Sequence, residues 1–297
     1  MNARPSDIPA AEVIDAKNLL GEGILWDSRR DVLWWTDIHG QTLHRHEWAT
    51  RGTETLPAPE RIGSFGLVAG STRLITAFAS GIAFYDPKGQ QVDWLARPVE
   101  VEAGMRFNDG RVDRAGRFWT GTMVEDPACL STGSLYSVGR SGEFRNHVRG
   151  VRITNGLCTS PDGKRLYFAD SSIRRIWVYD LIEPDGVLEN RRLFAETPDG
   201  AFPDGATIDA DGCLWSAHWG ASAVVRYTPE GRIDRMIALP TSQPSCVCFG
   251  GPDLDVLCVT TARVELDAAT LHAEPAAGDV FLYRAGAQGL PEPEYRT

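Results

Sequence analysis

The chain has 297 residues, a formal net charge of −10, 42% hydrophobic and 24% charged residues. That is ample for a core that folds unaided. An acidic balance argues against nucleic acid or an anionic membrane as partner. No run reaches signal-peptide or bilayer-spanning length, so a cytoplasmic protein is expected.

Residues 1–10, rich in Pro and Ala, read as a flexible N-terminal tail. Residues 11–297 read as one domain. Residues 11–16 (AEVIDA) supply a candidate strand that closes the last repeat. A short apolar-aromatic strand after an Asp or Gly turn then recurs in order: 31–36 (DVLWWT), 73–77 (RLITA), 116–121 (GRFWTG), 163–169 (GKRLYFA), 212–217 (GCLWSA) and 255–260 (DVLCVT). Anchored on Leu33, Leu74, Phe118, Leu166, Leu214 and Leu257, the copies are 41, 44, 48, 48 and 43 residues apart. A second strand follows most anchors, as in 81–89 (GIAFYDPKG) and 175–180 (RIWVYD). Alternating apolar positions between Pro, Gly and Asp turns mean strands. Six repeats of ~40–50 residues predict an all-β, six-bladed propeller with four-stranded antiparallel blades.

Just upstream of four anchors stands an oxygen-bearing side chain. Glu22 lies 11 residues before Leu33, Asn108 10 before Phe118, Asn155 11 before Leu166 and Asp204 10 before Leu214. The extra residue is assigned to the turn that follows. Any one Asn-Gly or Asp-Gly is ordinary turn chemistry. Four at one register are expected before the innermost strand of their blades, converging on one mouth of the channel. The register also selects Asp204 over Asp199 in 198–205 (PDGAFPDG). Glu22, Asn155 and Asp204 offer two carboxylates and one amide oxygen, hard donors for a divalent cation. Arg106 and Asn108 would be polar donors on the rim for substrate hydroxyls or a carbonyl oxygen.

The other polar residues carry less. His44 and His46 are expected on an exposed strand face, and His218 is a minor channel candidate. The six cysteines form no C-x-x-C pair and read as buried free thiols. No nucleophile elbow, P-loop or dinucleotide fingerprint is present.

The segments 20–26 (LGEGILW), 106–113 (RFNDGRVD), 116–123 (GRFWTGTM), 154–156 (TNG), 160–163 (SPDG), 203–205 (PDG) and 248–254 (CFGGPDL) resemble the gluconolactonase/regucalcin family, the senescence marker proteins. The resemblance runs from about residue 19 to 285. It implies hydrolysis of pentono- or hexonolactones to aldonic acids with one divalent cation, Ca²⁺, Zn²⁺, Mn²⁺, Mg²⁺ or Fe²⁺. It implies that Glu22, Asn155 and Asp204 bind the metal, that Asp204 is also the catalytic acid/base, and that Arg106 and Asn108 bind substrate. Glu125 and Asp126 occupy the place of a further substrate-binding acid, with aspartate where some members carry glutamate. The implied partner is a small sugar lactone, the implied assembly a monomer or weak homo-oligomer. A promiscuous metal-dependent esterase or phosphotriesterase, and a non-enzymatic calcium-binding propeller, are the competing readings.

Overall fold

Period-2 strands separated by tight Asp/Gly turns fold into six four-stranded antiparallel sheets set around a ring. The computed structural model describes residues 8–98, 104–126 and 128–297. Blades one to six have as innermost strands Gly21–Asp27, Ile62–Leu67, Met105–Val112, Thr154–Thr159, Phe202–Ile208 and Pro244–Gly250. Strands run outward in sequence order in the first five. The sixth takes its outermost strand, Glu12–Ile14, from the beginning of the chain. It pairs antiparallel with Val280–Tyr283, Val13 opposite Phe281. Of the expected tail, residues 1–7 lie outside the described residues; Ile8 and Ala10 pack against the core between blades five and six.

Each blade buries its faces against its neighbours. Leu25, Trp34 and Leu43 of blade one pack with Ile62, Phe65 and Tyr85 of blade two. Ile24, Trp26 and Trp35 on the other face of blade one pack with Cys246, Cys258 and Leu282 of blade six. Five of the six cysteines are buried and all are free. Among the described residues no helix is long and apolar enough to cross a membrane.

The turns after the innermost strands are pinned by buried aspartates. Asp113 Oδ2 accepts from Trp119 Nε1 and Arg117 Nε, both at 2.8 Å, while Oδ1 accepts from Arg117 N at 2.9 Å. Asp209 repeats the device with Trp215 Nε1 and Arg226 Nε at 2.8 Å and Cys213 N at 2.9 Å. Holding one end of each inner strand fixes what its other end presents.

The C-terminal segment crosses that pinned mouth of the channel. Ala210 N donates to Gln288 O at 2.8 Å, Gly289 N to Leu254 O at 2.7 Å and Tyr295 N to Leu67 O at 2.7 Å. Under it, Arg111 pairs with Glu292 and reaches Ile24 O and Val247 O at 3.3 Å each. Both side chains of the pair are 12% exposed. Removing one partner of a buried pair leaves an uncompensated charge, at a cost of about 3 kcal/mol or more. Arg111→Met is therefore expected to lose about 3 kcal/mol in urea denaturation. Adding Glu292→Met should recover most of it. Equal stability of wild type and Arg111→Met would show that the pair does not hold the strap.

Candidate active site

Glu22, Arg106, Asn108, Asn155 and Asp204 all line one cavity of about 420 Å³ at the open mouth of the channel. Their common level comes from a repeated backbone irregularity. In blade one, register skips between Glu22–Thr36 and Leu25–Trp34, so Gly23 and Ile24 face the single Trp35. Equivalent skips fall after Phe107, Asn155 and Pro203. These are β-bulges, which re-aim side chains next to a site. Glu22 and Asn155 stand directly before the bulge, Asn108 and Asp204 within it. All four lie level with a residue three past the anchor: Thr36, Gly121, Ala169 or Ala217.

Gly156 and Gly205, whose Asn-Gly and Asp-Gly pairs have turn composition, are thus bulge residues, as is Gly23. Gly23 and Gly156 have φ of +56° and +64°, which an L side chain rarely adopts. This corrects one expectation: the four side chains are carried by the innermost strands and do not precede them, and the anchors mark the second strand. The offset difference is located where expected. Leu33 and Leu166 pair seven residues back, with Trp26 and Thr159; Phe118 and Leu214 pair six back, with Val112 and Ile208.

A hydrogen-bonded chain fixes the amide orientations. Arg106 Nη1 donates to Asn108 Oδ1; Asn108 Nδ2 donates to Asn155 Oδ1 and Thr154 O, both at 2.9 Å. Asn155 Nδ2 donates to Ser171 Oγ at 2.9 Å, and Ser171 Oγ to Pro203 O at 2.6 Å. Asn155 therefore keeps its oxygen on the Asn108 side. Arg106 Nε bonds Glu125 Oε1 at 3.0 Å, and Arg61 clamps both Glu125 oxygens at 2.8 and 3.0 Å.

Electrostatically the floor is short of positive charge. Glu22 and Asp204 are buried carboxylates close enough to act on each other's charge. Burial, then the charge of Asp109, pushes Glu22 up to about 8. Burial and the neighbouring Glu22 push Asp204 well above the usual carboxylate range. Asp109, raised by burial, accepts from Gly110 N and Leu157 N at 2.8 Å each. Two neighbouring carboxylates and an amide oxygen suit a hard divalent cation, whose charge would offset theirs. Among the described residues no three His, Cys, Asp or Glu side chains form a metal cluster; this donor set is part carboxylate, part carboxamide.

Other residues sort by position. Glu125 lines the cavity, held ionised by Arg61 and Arg106 against the cost of its burial. Asp126 instead caps the following turn, accepting from Ala128 N at 2.9 Å. Asp199 is 94% exposed and pairs with Arg174. His218 does not line the cavity; it is buried against Tyr227 Oη at 3.2 Å, and burial holds it down to about 4. His44 and His46 are buried, contrary to the exposed face expected. His44 stacks on Trp35 and bonds Thr42 and Thr55, while His46 bonds Thr53.

Sequence reasoning missed Asp109, Arg61, Ser171 and the apolar lining of the cavity, a wall of Phe202, Trp219 and Val264 with Ile153 placed apart beside Met123. Asp109 adjoins Asn108 in the same motif and was legible; the wall depends on pairings that no spacing announces.

The family described as "SMP-30/Gluconolactonase/LRE-like region" matches residues 20–263. The chain is 38% identical to 6-deoxy-6-sulfogluconolactonase of Pseudomonas putida, covering 95% of this chain and 96% of that one. It is 37% identical to L-arabinolactonase of Azospirillum brasilense, covering 95% and 93%. A solved structure of regucalcin from Agrobacterium tumefaciens, titled a calcium-binding protein, superposes with a TM-score of 0.91 at 30% identity, covering 99% and 100%.

Proposed function

Because the chain belongs to the SMP-30/gluconolactonase/LRE-like family, we propose that it hydrolyses sugar aldonolactones, pentono- or hexono-1,4/1,5-lactones, to aldonic acids with the help of one divalent cation. The observation that carries this reading is the convergence of Glu22, Asn155, Asp204, Arg106 and Asn108 on one cavity. The lactonases among its relatives support the reaction class.

Glu22, Asn155 and Asp204 would hold the cation, which when bound supplies Lewis-acid polarisation of the lactone carbonyl. The protein's own work is positioning and proton transfer. Arg106, fixed through Glu125 and Asn108, orients the substrate's hydroxyl groups, and its Nη2 has no protein partner among the described residues. Asp204 accepts a proton from the attacking water as the new C–O bond forms. It then returns that proton to the ring oxygen as the ring C–O bond breaks, leaving a hydroxyl and a carboxylic acid. The neighbouring Glu125, held by two guanidinium groups, stays ionised and suits acceptance of a sugar hydroxyl.

The apolar wall is the observation that favours the esterase reading, and one experiment separates the two. Acid release in a pH-stat is measured on pentono- and hexonolactones, an aryl acetate and a phosphotriester, with and without divalent cations. The aldonolactones should be turned over with kcat/KM at least about 10⁴ M⁻¹s⁻¹, the aryl ester and phosphotriester far more slowly. Equal or faster ester or phosphotriester turnover, or no turnover of any aldonolactone, would sink the proposal.

A further inference from the structure

Phe202 and Trp219 are cross-strand partners at the cavity end of blade five, so their side chains stand side by side on one face of the sheet. Both line the cavity, and Asp204 follows Phe202 by two residues on the same strand. Phe202 is 37% exposed. Trp219 is half-buried, seated on Leu20, Ile38 and Ala262, and its indole N–H has no partner among the described residues. A single exposed aromatic is unremarkable on a protein surface. Here two stand together, with Val264 packed in the same cluster as Trp219, in a cavity that His39, Arg106 and Glu125 also line. The cavity therefore offers aromatic faces as well as charged and polar groups.

A ring-closed sugar lactone likewise has two kinds of surface. Its hydroxyls project at the edge, while its ring presents a face of C–H bonds polarised by neighbouring oxygens. The negative face of an aromatic ring attracts such hydrogens. We infer that Phe202 and Trp219 form a stacking platform for the C–H face of the lactone ring and make the cavity selective for ring-closed sugar substrates. This rests on the lactonase reading and deepens it: Arg106 and Glu125 take hydroxyls at the ring edge, the platform takes the ring face, and Asp204, two residues from Phe202 on the same strand, stands beside the bound ring. The open-chain acid has no such face, so the same platform favours substrate over product.

The test uses the full-length protein loaded with its cation. Affinity for a non-hydrolysable lactam analogue of the lactone, and for the open-chain aldonate, is measured by calorimetry beside KM and kcat for the lactone. Trp219→Ala should raise the lactam Kd and the lactone KM about tenfold, with the loss carried in KM rather than kcat. Trp219→Phe, which keeps a ring, should return both to within about threefold of wild type. Aldonate affinity should change by less than about twofold, because the acid does not stack. Should Trp219→Ala lose its melting transition, Phe202→Ala on the more exposed partner takes its place, with an expected threefold rise in lactam Kd, about that of one aromatic contact. Lactam and lactone parameters that stay within twofold in the folded variants would overturn the platform, as would equal losses for lactam and aldonate. Failure of the wild type to open any aldonolactone would instead overturn the proposed reaction, so the two failures are distinguishable.

Discussion

Asp204→Asn is expected to lower kcat for lactone opening by about 10³-fold, within the range that a positioned general acid/base supplies. The substitution preserves volume and an amide oxygen that could still face a cation, but it removes the group that accepts and returns the proton. Two readouts separate the roles: kcat/KM by acid release, and metal content by emission spectroscopy. Full metal occupancy together with a full rate would remove Asp204 from both roles. Stability should move in the opposite direction. In the metal-free protein, burial and Glu22 hold the Asp204 carboxyl above its ordinary range. A group raised in this way contributes stability at low pH and loses it as pH rises through its folded value. At pH 8 in a chelator, Asp204→Asn should therefore melt above wild type. A gain in stability at the expense of rate is what a strained catalytic carboxylate predicts.

The second large effect is the response to divalent cations. Addition of a suitable ion among Ca²⁺, Zn²⁺, Mn²⁺, Mg²⁺ and Fe²⁺ at about 100 times its Kd should stabilise the fold by about 2.7 kcal/mol, or about 5 °C in Tm. A chelator should abolish that gain together with activity. The effect should grow with pH. Glu22, pushed by burial from the usual 4.5 up to about 8, must lose its proton to act as a ligand. From pH 5 to pH 8 the protons compete less, so apparent affinity rises and the Tm increment widens. The metal-free protein moves the other way, because ionising Glu22 beside Asp204 costs more as pH rises. Differential scanning fluorimetry across that window, with and without each ion, reads both slopes. A cation increment that is flat in pH, or none with any ion, would contradict the assignment of the two carboxylates as ligands.

Much of this arrangement was legible in the chain because a propeller converts sequence period into spatial equivalence. Leu33, Leu74, Phe118, Leu166, Leu214 and Leu257 mark the second strand of each blade, and side chains 10 or 11 residues upstream of four of them share one cavity. What periodicity could not supply is local backbone shape. Asn-Gly and Asp-Gly carry the composition of a tight turn, yet at Asn155-Gly156 and Asp204-Gly205 the chain forms a bulge without reversing. His44 and His46 alternate as exposed strand residues would, yet Thr55 and Thr53 on the outermost strand, with Thr42 on their own, let them be buried. Glu125 and Asp126 are adjacent in sequence. Arg61, which precedes the inner strand of blade two, and Arg106 together hold the first of them at the cavity. Arg111 and Glu292 lie 181 residues apart, outside any repeat. Contacts of that kind depend on where the C-terminal segment crosses the ring, which no short motif records.

Glu22, Asn155 and Asp204 are proposed to act as one metal-binding set at the mouth of the channel. Anomalous diffraction from crystals grown with Mn²⁺ or Ca²⁺, collected with a bound sugar lactam, tests that assignment. A single anomalous peak is expected at about 2.0–2.6 Å from an oxygen of each of the three side chains, with the lactam carbonyl beside it. A peak elsewhere in the chain, or a lactam seated in this cavity with no anomalous signal beside it, would contradict it.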